Sequence, residues 1–197
     1  MAYGARFEEA LLFAAQLHRD QTRKASGIPY VTHLLAVAAL VGEAGGSEDD
    51  VIAALLHDAL EDRPDAVDFD GLSRRFGQTV AETVRGCSDT EVYPKPPWRE
   101  RKEQHLAHLA AATPATLTVV CADKLHNVQT INADLRELGD ALWGRFRGGK
   151  EGTLWYYRAA TDLLRARGAP SRLVAELQRQ VTLLERLAAG EPEGRAP

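Results

Sequence analysis

The stretch Val51-Ile52-Ala53-Ala54-Leu55-Leu56-His57-Asp58-Ala59-Leu60-Glu61-Asp62 decides how this chain is read. Its apolar run predicts a helix buried on all sides, and periodicity alone leaves a strand as the alternative. The run then ends in His-Asp. An imidazole and a carboxylate at the end of a buried helix are costly unless they are paired or hold a metal, and both are common ligands of Zn, Fe and Mn. Glu61 follows His57 by four residues, and Asp62 follows Asp58 by four. On a helix that continues from residue 48 to about residue 62, each pair shares a face and two further carboxylates stand over the site. The competing reading is a frayed helix end with a solvated acidic patch.

Upstream, Ser47 and Asp50 resemble a capping box with Asp in place of the usual Glu. Gly45 and Gly46 stop a preceding helix over residues 32–43, which carries Leu34, Val37, Ala38 and Val41 at helical spacing. Residues 21–29 form a polar loop, and residues 3–20 a first helix with Phe7, Ala10, Leu11, Ala14 and Leu17 on one stripe. Downstream, short helices are expected at 69–76, closed by Gly77, and at 78–84. Pro94, Pro96 and Pro97 exclude a helix interior between residues 86 and 98, which reads as a surface loop. A charged helix follows at 99–112, and Thr113-Pro114 opens a long one that Gly139 stops. Residues 140–149 are ambiguous, and helices at 151–167 and 171–189 complete the set. With no repeat and no convincing strand, the class is all-α, a single-domain helical bundle. The expected division is a catalytic domain over residues 1–168, a C-terminal helix packed on it over 169–189, and a disordered tail over 190–197.

A chain of 197 residues supports one domain with a sizeable core. Its 24 basic and 28 acidic side chains leave a formal net charge of -4, which weighs against a nucleic-acid binder and leaves room for a local basic patch. That balance offers no attraction to a membrane surface, and no apolar run approaches the ~18 residues of a spanning helix. Arg6, Glu8 and Glu9 precede the first apolar stretch, unlike a signal peptide. Cys87 and Cys121 stand apart and outside any CxxC pattern, which fits a reducing compartment. Cys121 reads as core. A cytoplasmic location is expected, with a small-molecule partner and neither nucleic acid nor membrane; monomer and homodimer both stay open.

Further metal-type ligands come from other helices. His33 sits near the start of the second helix, and Asp123 follows the apolar run 117–122 just as His57 follows 51–56. Two imidazoles and two carboxylates make a mixed N/O shell that suits Mn, Fe or Zn.

His33, His57-Asp58 and Asp123 resemble the H…HD…D signature of the HD-domain phosphohydrolase superfamily. Three longer blocks resemble the hydrolase domain of RelA/SpoT-type proteins and their small stand-alone relatives. They are Gln21-Thr22-Arg23-Lys24 with Gly27-Ile28-Pro29-Tyr30, then Ala53 through Asp62, then Ala122-Asp123-Lys124-Leu125-His126-Asn127-Val128-Gln129-Thr130. The likeness covers roughly residues 5–165. It implies a helical domain with one divalent metal, usually Mn²⁺, that removes the 3′-pyrophosphate of guanosine tetra- or pentaphosphate. It places the metal on His33, His57, Asp58 and Asp123, the water-handling acidic pair at Glu61 and Asp62, and nucleotide contacts at Arg23, Lys24, Asn127 and Thr130.

The chemistry of those residue types agrees. A phosphorus ringed by anionic oxygens repels hydroxide, so a metal must both acidify the water and offset charge, while Arg23 and Lys24 can neutralise phosphate oxygens. Lys102, with Lys95, Arg99 and Arg101, forms a basic cluster that either extends the phosphate site or solubilises a helix surface. The departures are Leu34 after His33, where the family usually has proline, and the Pro94-Lys95-Pro96-Pro97-Trp98 loop, which has no obvious counterpart. The rival functions are an HD-type enzyme for another nucleotide or small phosphate ester, and a non-catalytic nucleotide-sensing module, which should lack a ligand or the acidic pair. Among the remaining polar signals, His18 reads as a packed or capping residue, His105 and His108 as surface, and His126 as a support behind the ligands. Trp155-Tyr156-Tyr157 reads first as core.

Overall fold

Local signals set the helix ends in the computed structural model, which describes residues 3–23, 26–90 and 94–191. In chain order the helices are α1 (Ala5–Leu17), α2 (Val31–Glu43), α3 (Glu48–Leu56), α4 (Ala59–Asp62), α5 (Phe69–Phe76) and α6 (Gln78–Cys87). They continue with α7 (Trp98–Leu109), α8 (Pro114–Leu138), a 3₁₀ turn (Gly139–Arg145), α9 (Gly149–Ala166) and α10 (Ser171–Ala188). At the start of α3 the Ser47 hydroxyl accepts the Asp50 N–H at 3.2 Å while the Asp50 carboxylate accepts the Ser47 N–H at 2.8 Å, so the reciprocal cap forms as expected. Thr113 caps α8 through the Thr116 N–H at 3.2 Å, with Pro114 in the first turn. Gly77 turns the chain between α5 and α6 at φ 94°, and Gly139 ends α8 at φ 56°, a region open to glycine. Among the described residues the only β-type pairing is an isolated bridge, Thr22 with Pro29.

The continuous helix expected over residues 48–62 is not found. α3 stops at Leu56, Asp58 takes φ -98° and ψ 1°, and α4 starts afresh at Ala59. Neighbouring residues on a regular helix point about 100° apart, so His57 and Asp58 could not both face one point without this interruption. With it, His57 Nε2 lies 3.1 Å from Asp58 Oδ2.

α3 is the centre of the molecule. Every residue from Val51 to Leu56 is buried, walled in by α1, α2, α6 and α8. Each of its larger side chains contributes roughly 1.5–3 kcal/mol by leaving water. α10 packs on α8 and α9 and joins the same core, which runs from Ala10 to Ala188. Asn132 ties α8 to α10 by donating to the Gln180 carbonyl at 3.0 Å and to its side chain at 2.9 Å. Cys121 is fully buried, and burial pushes its thiol up to about 12. The tail assigned to residues 190–197 lies, from 192 on, outside the described residues. No helix among the described residues is long and apolar enough to cross a membrane.

α7 departs from its reading as a charged surface helix. Arg101, His105 and Leu109, spaced one turn apart, are buried on the side that meets α9. His105 is therefore an interior residue, and only His108 of that pair is exposed. Two of the three members of this stripe are polar, so helical periodicity carries no apolar signal there.

Candidate metal centre and catalytic cavity

Three segments bring the four expected ligands together, His33, His57 and Asp58 as one close group and Asp123 against its two imidazoles. α2 brings His33, the turn between α3 and α4 brings His57 and Asp58, and the middle of α8 brings Asp123. His33 Nε2 lies 3.2 Å from Asp123 Oδ1 and 3.8 Å from Asp58 Oδ2. His57 Nε2 lies 3.1 Å from Asp58 Oδ2 and 3.7 Å from Asp123 Oδ1. Two donors each ~2.1 Å from a common ion stand about 3.0 Å apart at a right angle and about 3.4 Å apart at a tetrahedral angle. The two shorter separations, 3.1 and 3.2 Å, fall within that range, and the other two are 0.3–0.4 Å wider. His33, His57 and Asp58 form a group able to hold a metal ion.

The outer nitrogens show how the ligands are aimed. His57 Nδ1 donates to the Ala54 carbonyl at 2.8 Å, which turns Nε2 towards Asp58 and Asp123, and that atom is buried with no hydrogen-bond partner among the described residues. His33 Nδ1 meets His126 Nδ1 at 2.8 Å, so His126 stands behind an expected ligand. Asp123 is braced on both oxygens: Lys124 reaches Oδ2 at 2.6 Å and Asn127 donates to Oδ1 at 2.5 Å. Tyr30 donates its hydroxyl to Asp58 Oδ2 at 2.5 Å.

The charges ask for a cation. Desolvation pushes Asp58 and Asp123 up, but His57 outweighs it at Asp58, and Lys124 with the two histidines does so at Asp123, so both carboxyls stay well below the usual range. Burial pushes His57 down, yet Asp58 and Asp123 overcome it and hold it well above an ordinary imidazole. Burial lowers His33. Burial, His33 and Arg23 take His126 down to about 4, so it faces His33 uncharged. Desolvation, then Asp58 and Asp62, keep the Tyr30 phenol protonated. The donor set, the orphaned His57 nitrogen and this charge pattern fit a divalent ion.

Beside the ligands opens a cavity of about 310 Å³. Glu61 and Asp62 both line it, though not through a face shared with His57 and Asp58, since the helix is interrupted between them. Glu61 is held at both oxygens: Lys95 Nζ meets Oε1 at 2.9 Å, and the Asp89 N–H donates to Oε2 at 3.0 Å. Asp62 accepts from Gln21 Nε2 at 2.6 Å. Although much of Asp62 stays open to solvent, its carboxyl is raised, first by desolvation and then by Asp58, with Gln21 and Lys95 pulling the other way.

Arg23, Asn127 and Thr130 line the cavity too, and Arg23 Nη2 donates to Asn127 Oδ1 at 3.0 Å. Lys24 lies outside the described residues. The basic cluster expected near α7 is divided. Arg99 stacks over the exposed side of Trp155 and pairs with Glu103, whereas Lys102 turns inward, lines the cavity and meets Asp89 at 2.9 Å. Tyr156 and Tyr157 are buried as expected, and Tyr157 also forms part of the cavity wall. His18 caps α1 and pairs with Gln21 at 2.7 Å.

Three residues had no role in the sequence reading. Tyr30 and Lys124 sat inside the quoted blocks without one. Asp89 was passed over as part of a loop; it is buried, accepts from Arg101 at 2.5 Å and supports Glu61 through its backbone. An isolated Asp in an irregular segment has no spacing signal, and its partners stand a dozen residues away on another helix.

His126→Ala removes the bond behind His33 and leaves the four ligand atoms in place. Losing such a support typically weakens metal affinity ~10–100-fold. Titrating the metal-free variant with Mn²⁺ should show that loss at unchanged stoichiometry, and unaltered affinity would remove His126 from the site.

A helical domain with a buried His/His-Asp/Asp cluster over a polar cavity is the form of a metal-dependent hydrolase. The HD domain family matches residues 10–153, and the chain belongs to that family. It is similar to the guanosine-3′,5′-bis(diphosphate) 3′-pyrophosphohydrolase MESH1 of Xenopus tropicalis, 32% identical over 173 residues that cover 86% of this chain and 89% of the relative. It is 39% identical to MESH1 of Danio rerio over 127 residues, 63% of this chain and 68% of that one. The bifunctional (p)ppGpp synthase/hydrolase SpoT of Escherichia coli K12 is 34% identical over 134 residues, but the chain spans only 18% of SpoT's length. Among solved structures, one reported as a metazoan ortholog of SpoT that hydrolyses ppGpp superposes with a TM-score of 0.76 at 28% identity, over 92% of this chain and 97% of that one.

Proposed function

We propose that this protein is a Mn²⁺-dependent hydrolase that removes the 3′-pyrophosphate of guanosine 3′,5′-bis(diphosphate). The observation that carries the reading is the meeting of His33, His57, Asp58 and Asp123 beside Glu61 and Asp62 in one cavity. The near full-length likeness to a relative named for that activity supports it.

In this reading His33, His57, Asp58 and Asp123 hold one divalent ion, and their mixed N/O character favours Mn²⁺. When bound, the ion supplies the Lewis acidity and positive charge that phosphate hydrolysis needs. Glu61 and Asp62 orient the attacking water and receive its proton. Tyr30 fixes Asp58 through the same Oδ2 that faces the two imidazoles, and Lys124 and Asn127 fix Asp123. Arg23, Lys24, Asn127 and Thr130 bind the nucleotide, and Lys102 offsets phosphate charge at the inner end of the cavity. Residues 1–168 make up the catalytic domain and residues 169–189 buttress it through α8. The net charge of -4 and two free cysteines support a cytoplasmic enzyme acting on a free nucleotide, without nucleic acid or membrane.

A panel of nucleotides assayed with Mn²⁺ tests this. Guanosine 3′,5′-bis(diphosphate) should yield GDP and pyrophosphate. If it is inert while another nucleotide or phosphate ester turns over, the enzyme is an HD phosphohydrolase of different specificity. Tight nucleotide binding with no hydrolysis under any divalent ion would make it a sensing module.

Arg23 separates binding from chemistry. Its proposed partner is a phosphate oxygen present in both ground and transition states, so its loss should raise KM more than it lowers kcat. Steady-state kinetics of Arg23→Ala with an active substrate decide the matter, and an unchanged KM counts against the assignment.

A further inference from the structure

Glu61 is gripped from a segment that the hydrolytic machinery leaves without a task. Pro94, Pro96 and Pro97 flank Lys95, and each proline fixes its own φ, so the loop reaches Glu61 with little backbone freedom to lose. Its far end is anchored. The Trp98 indole packs against the start of α9, so close that a Cβ on Gly148 would sit 2.6 Å from the ring and one on Gly152 3.0 Å from it. From that anchored loop the Lys95 ammonium reaches Glu61 Oε1 at 2.9 Å, with both side chains less than a quarter exposed.

Among the described residues, Lys95 is the cation nearest that oxygen. Arg101, the next cation, stands 4.0 Å from Glu61 Oε1 and is committed to Asp89 at 2.5 Å. The second oxygen, Oε2, accepts the Asp89 N–H at 3.0 Å. The carboxylate is thus pinned at two points, one of them Lys95. Glu61 shares its neighbourhood with the carboxylates of Asp58, Asp62 and Asp123, and their repulsion would turn an unpinned Glu61 towards solvent.

We propose that Lys95 is a positioning residue, whose ammonium, delivered by the proline loop that Trp98 anchors, holds the Glu61 carboxylate at the angle the reaction requires. The inference rests on the reading of Glu61 as a member of the acidic pair. It does not depend on which nucleotide is hydrolysed, because the bonds exist in the protein alone.

The test uses Lys95→Met, which keeps the apolar stem and removes the charge, and Lys95→Arg, which restores a cation. Two measurements are made on the full chain. In the metal-free protein, amide hydrogen exchange at Asp89 reports the bond to Glu61 directly. In the Mn²⁺-loaded protein, kcat and KM are measured with guanosine 3′,5′-bis(diphosphate). Lys95→Met should expose the Asp89 amide to faster exchange while amides of α8 keep their protection. It should also lower kcat roughly 10–100-fold, as loss of an outer support does, with KM close to the parent value. Lys95→Arg should recover both. Unchanged Asp89 exchange overturns the proposal, and so does a raised KM with kcat kept, which would make Lys95 a substrate contact. If the parent itself fails to hydrolyse this nucleotide, the proposed function falls, while the Asp89 exchange still decides the role of Lys95.

Discussion

Asp123→Ala should abolish divalent-ion uptake, from about one ion per chain in the parent to none, and turnover should fall below detection with it. Asp123 Oδ1 is the atom that approaches both His33 Nε2 and His57 Nε2, at 3.2 and 3.7 Å, so its removal opens the cluster on one side. The same substitution should destabilise the metal-free protein. Lys124 meets Asp123 at 2.6 Å, and both side chains are little exposed. Breaking a buried pair by deleting one partner costs about 3–5 kcal/mol, because the other charge is left uncompensated. The low end of that range is expected here, since Asp123 also repels Asp58 and its loss relieves that strain. Metal analysis and denaturant unfolding in the presence of chelator check the two parts. Uptake of an ion at parent stoichiometry would remove Asp123 from the ligand set.

Glu61→Gln and Asp62→Asn should behave differently. Each is expected to retain the ion, because neither residue belongs to the four-atom cluster, and each should lower kcat roughly 10²–10⁴-fold, the range for a positioned acid–base group. At Glu61 the amide can still accept the Asp89 N–H on one side, but it then turns an NH₂ donor towards the Lys95 ammonium. Glu61→Gln therefore loses its position along with its basicity. At Asp62 the amide keeps an oxygen for Gln21, so geometry survives and only proton transfer is lost. Metal analysis beside turnover distinguishes the roles. Loss of the ion in either variant would make that residue a ligand, and full activity with the ion retained would return the pair to a solvated acidic patch.

Much of the helical framework was legible residue by residue. Ser47 with Asp50, Thr113 with Pro114, and the glycines at 77 and 139 marked helix ends correctly, because capping and turn chemistry act within a few residues of each other. The four ligand types were legible as well, since His57 and Asp123 each close an apolar run and a charge there demands a partner. The packing of α2, α3 and α8 brings the two imidazoles to 3.1–3.8 Å from carboxylate oxygens of Asp58 and Asp123. A shared helical face does not exist here, because the chain turns at His57 and Asp58 and aims both inward.

From the sequence alone came the all-helical class, the order and approximate ends of the helices, and the kinds of side chain at the centre. These rest on periodicity, capping and the conformational habits of glycine and proline, all local in the chain. Only the tertiary structure decided that Asp89 is buried under Arg101, that His105 faces the interior, that Lys95 closes on Glu61 and that Glu61 and Asp62 reach the cavity by way of a turn. Each of those facts depends on desolvation and on charges brought together from distant segments. Such energies are set by what surrounds a group in space, and no spacing of residues along the chain encodes them.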